Sequence, residues 1–270
     1  AAQMINFSIP GTGSSGHVIG GILLAAVLGP WAGFLTLCSV LIIQCLVFAD
    51  GGLLALGCNI VNMAVTSCLL AYPFVYRPIA SGKAGAGRIM AAAVVSSVVA
   101  LEVGALLVTA ETEMSGVTAL PTATFLSFML PIHLAIGAIE GVATGAALCF
   151  IARYRPETLY SAPSAAQGGK GNRRVILAFV IGAVVLASAF TWIASSNPDG
   201  LEWSIARTSG LTDLPSTVSP TAFMPDYNST FAGIIGATIV MIMLWAITTL
   251  IFHRVRTVPQ KVVRDHIDKK

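Results

Sequence analysis

Four polar side chains lie in a part of the chain that is otherwise apolar enough to enter a lipid bilayer. His17, Asp50, Asn59 and Asn62 occur within residues 11–64, among several glycine-rich segments. A bilayer core penalises every unpaired polar group, so each of these side chains needs a partner or a ligand. An imidazole nitrogen is a good ligand for borderline transition-metal ions, and glycines let the backbone approach an ion closely. His17 is therefore the candidate metal ligand; the alternative is an interfacial histidine bonded to water or to a carbonyl group.

Three other residues near His17 have more than one interpretation. Asn59 and Asn62 are three residues apart, which predicts that they share one helical face. They could support a metal-binding loop through hydrogen bonds, or hold neighbouring helices together. Asp50 precedes two glycines and is expected to cap the helix that follows, with direct metal binding as the alternative. Cys58 and Met63 are soft donors, but buried side chains of these types usually serve packing.

A second polar pair lies further along the chain. His133 and Glu140 are seven residues apart, two helical turns, and therefore share a face of one predicted helix. One interpretation is a polar lining beneath the metal site, or a coupling contact. The favoured interpretation is a hydrogen-bonded network between helices, in which the neighbouring glycines allow close approach. Glu102 is interpreted in the same way.

The elements that carry these residues must be membrane helices. Hydrophobic residues make up 56% of the 270 positions and charged residues only 10%, which excludes a soluble domain of this size. The expected fold class is all-α, a polytopic helical bundle in the lipid bilayer. Most of the apolar runs are long enough to cross about 30 Å of hydrocarbon. The predicted helices are residues 18–28 (short for a full span), 31–48, 53–76, 89–110, 121–150, 175–194 and 231–252.

The charge distribution predicts the orientation of these helices. All of the 15 Lys and Arg residues except Arg207 fall in three blocks, at residues 77–88, 153–174 and 254–270. The positive-inside rule places the three blocks in the cytoplasm. Alternation then puts His17 and Asp50 toward the external face, and it separates His17 from His133 by roughly half a membrane.

A Pro/Gly/Ser/Ala-rich segment divides the chain into modules. We expect a multi-helix module over residues 1–153, a cytoplasmic linker over 154–174, a two-helix module over 175–254 and a basic cytoplasmic tail over 255–270. The first residues, AAQMINFSIP, have no charged region and no cleavage-site pattern, so they are not a signal peptide. They are expected to be the end of a helix that begins upstream, in a chain without its natural amino terminus.

Several segments together carry a family resemblance: SSGHVIGG, FADGGLLALG, NIVNMA, HLAIGAIEGVATG and, in the second module, SSNPDGLEWSIA. The first four resemble the CbiM/NikM family, the metal-specific S components of energy-coupling factor (ECF) transporters for cobalt and nickel. The fifth resembles the NikN-like PDGLE component. The resemblance implies a multi-pass subunit of a prokaryotic plasma membrane that captures Ni²⁺ or Co²⁺ externally, with the PDGLE motif favouring nickel slightly.

The resemblance also implies partners and further ligands. The partners are a transmembrane coupling (T) subunit and ABC ATPase subunits, and no prosthetic group is expected. In the family, a segment opening Met-His-Ile supplies two metal ligands, its terminal amine and its second-position histidine. The 270 residues contain no Met-His-Ile, so we expect the chain on its own to bind metal weakly.

Other functional classes are less consistent with the sequence. It contains no Walker A, nucleophile-elbow or Rossmann motif, which indicates that the chain is not an enzyme and does not hydrolyse ATP. The five cysteines form no C-x-x-C pair and are interpreted as core thiols. The dispersed basic residues are membrane anchors and do not indicate nucleic-acid binding. Two alternatives stay open: an intramembrane metalloenzyme using His17, His133, Glu140 and Asp50, and a structural or assembly subunit.

Overall fold

The computed structural model describes residues 6–48, 50–82, 84–116, 120–161 and 197–210, with Ile181, Ser195 and seven isolated positions between 235 and 249. The described part is predominantly helical, which confirms the expected all-α membrane fold. Four of its helices are long and apolar enough to cross a bilayer. The predicted helices 175–194 and 231–252, most of the linker and the basic tail lie outside the described residues.

The described elements follow the predicted order, with one addition at the start. The described part begins with two strands and continues with helices. They are β1 (Asn6–Ile9), β2 (Ser14–His17), α1 (Gly21–Leu28), α2 (Pro30–Phe48), α3 (Leu56–Ile79), α4 (Ala86–Ser115), α5 (Thr122–Tyr154) and the short α6 (Gly200–Ser209). Within α3, residues 60–76 have the wider hydrogen bonding of a π-helix, which sequence periodicity did not predict.

The β-hairpin corrects the expectation that the first residues end a membrane helix. β1 and β2 pair antiparallel, with Asn6 opposite His17. The turn between them contains Pro10, which donates no backbone N–H, and two glycines at positive φ, a combination that favours a tight reversal over a continued helix. His17 therefore ends a strand, whereas it was expected to start a helix.

Helix α1 is too short to cross the membrane. It has eight residues, so it rises only about 12 Å at 1.5 Å per residue. Gly29, at φ +90°, and Pro30 separate it from α2, as the sequence predicted. Because α1 starts inside the bundle, the hairpin that precedes it must also enter the bundle.

Glycines on one face of α5 set the distance between α4 and α5. A Cβ atom at Gly137 would lie 2.9 Å from the Val98 Cα atom, and one at Gly141 would meet the backbone of Val94. These glycines allow the two helix backbones to approach closely, as the sequence analysis expected.

The described basic residues of the first two blocks gather at one end of the bundle. There, the Cys149 thiol of α5 donates to the carbonyl of Ala86, at the start of α4. The Arg88 guanidinium donates to the Ile79 carbonyl, at the end of α3. We call this the basic end. The hairpin, the 50–55 loop and α6 lie at the opposite end, the cavity end.

Candidate metal site

A cavity of about 190 Å³ opens at the cavity end. A volume of this size can hold several water molecules. Much of its wall is aliphatic, and seven polar side chains line the remainder. They are His17, Gln44, Asp50, Asn59, Asn62, His133 and Asp199.

His17 reaches the cavity from the end of β2. It is half-buried, and its ring makes no hydrogen bond to another described residue. The backbone that follows it is fixed by Glu140, whose carboxylate accepts from the N–H groups of Ile19 (3.1 Å) and Gly20 (3.0 Å). The geometry thus leaves the imidazole free to bind a ligand while the backbone beside it is held in place.

Glu140 has a structural task that the sequence spacing did not show. Its side chain is 2% exposed, it does not line the cavity, and its two hydrogen bonds go to backbone N–H groups about 120 residues away in the chain. A buried carboxylate is tolerated when such bonds satisfy it. Its shared helix face with His133 therefore does not produce a shared site.

His133 lies close to the same cavity as His17, which corrects the expected separation of half a membrane. The reason is the depth of the hairpin: a Cβ atom at Gly16 would lie 2.7 Å from the Ile136 Cγ1 atom, so β2 packs beside α5 one turn below His133. Nδ1 of His133 lies 2.8 Å from the Met129 carbonyl oxygen. Because a carbonyl only accepts, Nδ1 carries the proton, and Nε2 of the neutral ring keeps a lone pair.

Asp50 does not cap the next helix. The N-cap of α3 is Ala55, which makes no side-chain cap bond. The Asp50 carboxylate instead accepts a hydrogen bond from Gln44 Nε2 at 3.0 Å. Desolvation by the surrounding protein raises the pKa of the Asp50 carboxyl, and the charge of a protonated His17 nearby acts in the opposite direction. Asp50 is thus a carboxylate that lines the same cavity as His17.

The two asparagines bind different segments. Asn59 donates to the Gly51 carbonyl at 2.9 Å and fixes the loop after Asp50. Asn62 donates to the Glu111 carboxylate of α4 at 2.7 Å and joins two helices. Asn59 thus holds a loop and Asn62 holds two helices together, while a role of either residue in metal binding stays a prediction.

Sequence reasoning missed Gln44 and Asp199 as cavity residues. Gln44 was visible as an isolated amide in an apolar helix. Asp199 was visible within the PDGLE motif, in which Asp and Glu three residues apart form a capping box. The Asp199 carboxylate accepts from the Glu202 N–H at 2.8 Å, and the Asp199 N–H donates to the Glu202 carboxylate at 3.4 Å. Its distance in the chain from His17 hid its position.

Comparison with known proteins gives the family. Residues 1–158 match the family model described as the cobalt uptake substrate-specific transmembrane region, CbiM. The chain belongs to the CbiM family. Residues 173–253 also match the PDGLE domain model. Membership of the CbiM family confirms the resemblance and agrees with the prediction of a membrane component of metal transport that is not an enzyme.

Relatives with both modules are among the similar proteins. A putative fused nickel transport protein NikMN of Archaeoglobus fulgidus is 34% identical, over 92% of this chain and 82% of the relative. A probable fused nickel transport protein LarMN of Lactiplantibacillus plantarum is also 34% identical, over 75% of this chain and 61% of the relative. A cobalt transport protein CbiM of Sorangium cellulosum is 32% identical over 56% of this chain and 67% of the relative. No solved structure matches.

Proposed function

We propose that this protein captures Ni²⁺ or Co²⁺ as the substrate-binding subunit of an ECF-type importer. The observation that carries the proposal is the His17 imidazole, which has no hydrogen-bond partner among the described residues and lines the same open cavity as Asp50. Membership of the CbiM family supports metal as the cargo. The relatives that share both modules are named for nickel, which favours Ni²⁺ over Co²⁺.

The proposed ligand set extends beyond His17. Among the described residues, no three His, Cys, Asp or Glu side chains lie close enough together to hold one ion. A selective site for a borderline ion needs about four donors in fixed geometry. The terminal amine and the histidine of a Met-His-Ile segment, which the family resemblance implies, would add two donors beside His17 and bring the proposed set to three.

The proposed orientation follows from the two ends of the bundle. With the basic end in the cytoplasm, the cavity opens to the outside of the plasma membrane. We infer the same organisation as from the sequence: a capture module over residues 1–153, a linker over 154–174, a PDGLE module over 175–254 and a cytoplasmic tail. Cysteine labelling from outside should reach Asp199→Cys and not Lys170→Cys; the reverse pattern would put the cavity on the cytoplasmic side.

Separate subunits must supply the energy, because the chain contains no ATP-binding motif. We therefore propose a coupling T subunit and ABC ATPases as partners. The test is uptake of Ni²⁺ and Co²⁺ at low concentration by the assembled transporter. His17→Ala should abolish uptake at unchanged protein level, whereas Glu113→Gln, an exposed carboxylate outside the cavity, should not. Uptake by His17→Ala at the wild-type rate would remove His17 from the ligand set.

A further inference from the structure

The PDGLE segment reaches the cavity through specific contacts with the hairpin. The Ser15 N–H donates to the Pro198 carbonyl at 2.8 Å, and its hydroxyl donates to the Asn197 carbonyl at 2.8 Å. The indole N–H of Trp203 donates to the Thr12 carbonyl at 3.0 Å. These bonds join parts of the chain that are more than 180 residues apart, and they place Asp199 in the cavity wall.

Gly200 brings the segment against His133. A Cβ atom at Gly200 would lie 2.9 Å from Ile136 Cδ1 and 3.3 Å from the Cε1 atom of the His133 ring. Only glycine fits this contact without displacing a neighbour. Asp199 directly precedes Gly200, so His133 and Asp199 line the same part of the cavity wall.

The donor chemistry of this pair suits a transition-metal ion. The bond from Nδ1 of His133 to the Met129 carbonyl fixes the ring and its tautomer, as is usual for metal-binding histidines. Asp199 uses one oxygen, Oδ1, to cap α6, which leaves its second oxygen available. An imidazole nitrogen with a carboxylate oxygen is a common ligand pair for borderline divalent ions.

Two residues that line the same cavity carry amide oxygens without a hydrogen-bond partner in the described part of the chain. Gln44 and Asn62 are 7% and 6% exposed, and their side-chain oxygens have no partner among the described residues. The NH₂ group of each donates to a carboxylate oxygen, that of Asp50 or of Glu111. The amide oxygen of each side chain therefore points away from that carboxylate. A buried acceptor without a donor is costly, and the waters on a hydrated cation are donors.

We propose that His133 and Asp199 form a second cation-binding pair, which holds a hydrated Ni²⁺ or Co²⁺ in the cavity apart from the His17 site. The PDGLE segment thereby contributes a ligand and not only a structural contact. The inference rests on the proposed function for the nature of the ion. The second site binds more weakly, since most of its ligands are waters.

The test is a Co²⁺ titration of the purified full chain, followed by visible absorption, with His17→Ala as the starting protein. His17→Ala should retain one Co²⁺ site. Adding Asp199→Asn should weaken it at least tenfold, although Asn caps a helix as well as Asp does, so α6 stays intact. Adding His133→Gln should weaken it equally. Adding Glu202→Gln should leave it unchanged, because this removes the same charge from the same turn at an exposed position and keeps the capping box.

Equal Co²⁺ affinity of the Asp199→Asn and Glu202→Gln proteins would overturn the inference, as would loss of all binding in His17→Ala itself. Thermal unfolding of each protein separates loss of a ligand from loss of the fold. Failure of the proposed function would be seen elsewhere, in the uptake assay, as transport that does not depend on His17.

Discussion

Along the α4–α5 interface, glycines of one helix lie directly against the backbone of the other, whereas at the cavity end nearly every junction depends on a polar side chain. The segment between the hairpin and α1 is joined to α5 by Glu140, α2 to the Asp50 loop by Gln44, and α3 to α4 by Asn62. Close packing gives the first region rigidity without directional bonds. The second region gains directional bonds, and three of its amides, those of Asn6, Gln44 and Asn62, keep an oxygen without a partner among the described residues.

The α4–α5 interface and the cavity end differ in the space that they leave between elements. Backbone-to-backbone packing leaves no room between α4 and α5, so this interface is suited to hold the bundle together. Polar junctions surround an open volume and present donors and acceptors to it. Changes at the interface should therefore affect stability first, and changes at the cavity end should affect metal binding first.

Glu140 does not fit this division of the molecule. It lies beside the glycines of α5, but its hydrogen bonds hold the backbone next to the cavity. Glu140→Ala would leave the Ile19 and Gly20 N–H groups without acceptors, at a cost of about 1–3 kcal/mol for each buried group. We expect both a loss of stability and a loss of metal uptake, because the backbone after His17 is released. Denaturant unfolding in detergent and an uptake assay would measure the two effects. Normal uptake by a destabilised protein would show that His17 does not depend on this support.

Gly141→Ala tests the packing side of the comparison. The new methyl group would meet the Val94 backbone and force α4 and α5 apart, which we expect to cost about 1–3 kcal/mol. Gly87→Ala, in α4 at a position with nothing within 4 Å, is the matched control and should be neutral or slightly stabilising. Thermal unfolding would compare them. Similar melting temperatures for the two variants would mean that the interface is looser than its geometry indicates.

Gly200→Ala tests the packing at the cavity end. Its methyl group would press on Ile136 and on the His133 ring and move the PDGLE turn outward. We expect a small change in stability, because α6 keeps its capping box, but weaker Co²⁺ binding in the His17→Ala background. The Co²⁺ titration measures this, with Gly87→Ala again as the control. Unchanged Co²⁺ affinity would argue that the position of Asp199 relative to His133 is unimportant.

Asn59→Ala should have the smallest effect. It removes one hydrogen bond to the Gly51 carbonyl near the surface, worth about 0.5–1.5 kcal/mol. The Asp50 loop should become more open to exchange while the bundle stays intact. Faster hydrogen exchange of the backbone amides of residues 50–55 would detect this opening. Faster exchange that extends into α4 would show that the loop and the bundle unfold together.

The sequence alone determined the class of the protein, because membrane class depends on local composition and run length. Apolar runs gave α2–α5 and the break at Gly29 and Pro30, and the glycine spacing in α5 predicted a close helix contact. His17 and the PDGLE segment were identified as separate motifs because each can be recognised within a few residues.

Only the tertiary structure decided which of these residues meet. From the sequence, His133 was expected far from His17, because alternating membrane crossings assume that each apolar segment spans the bilayer. Helix α1 does not span it, and the hairpin enters the bundle as far as Ile136. The bonds of Glu140 to Ile19 and Gly20, and the arrival of Asp199 beside His133, join positions separated by about 65 to 121 residues. Local periodicity contains no information about such contacts, because they are selected by packing and by the need of buried polar groups for partners.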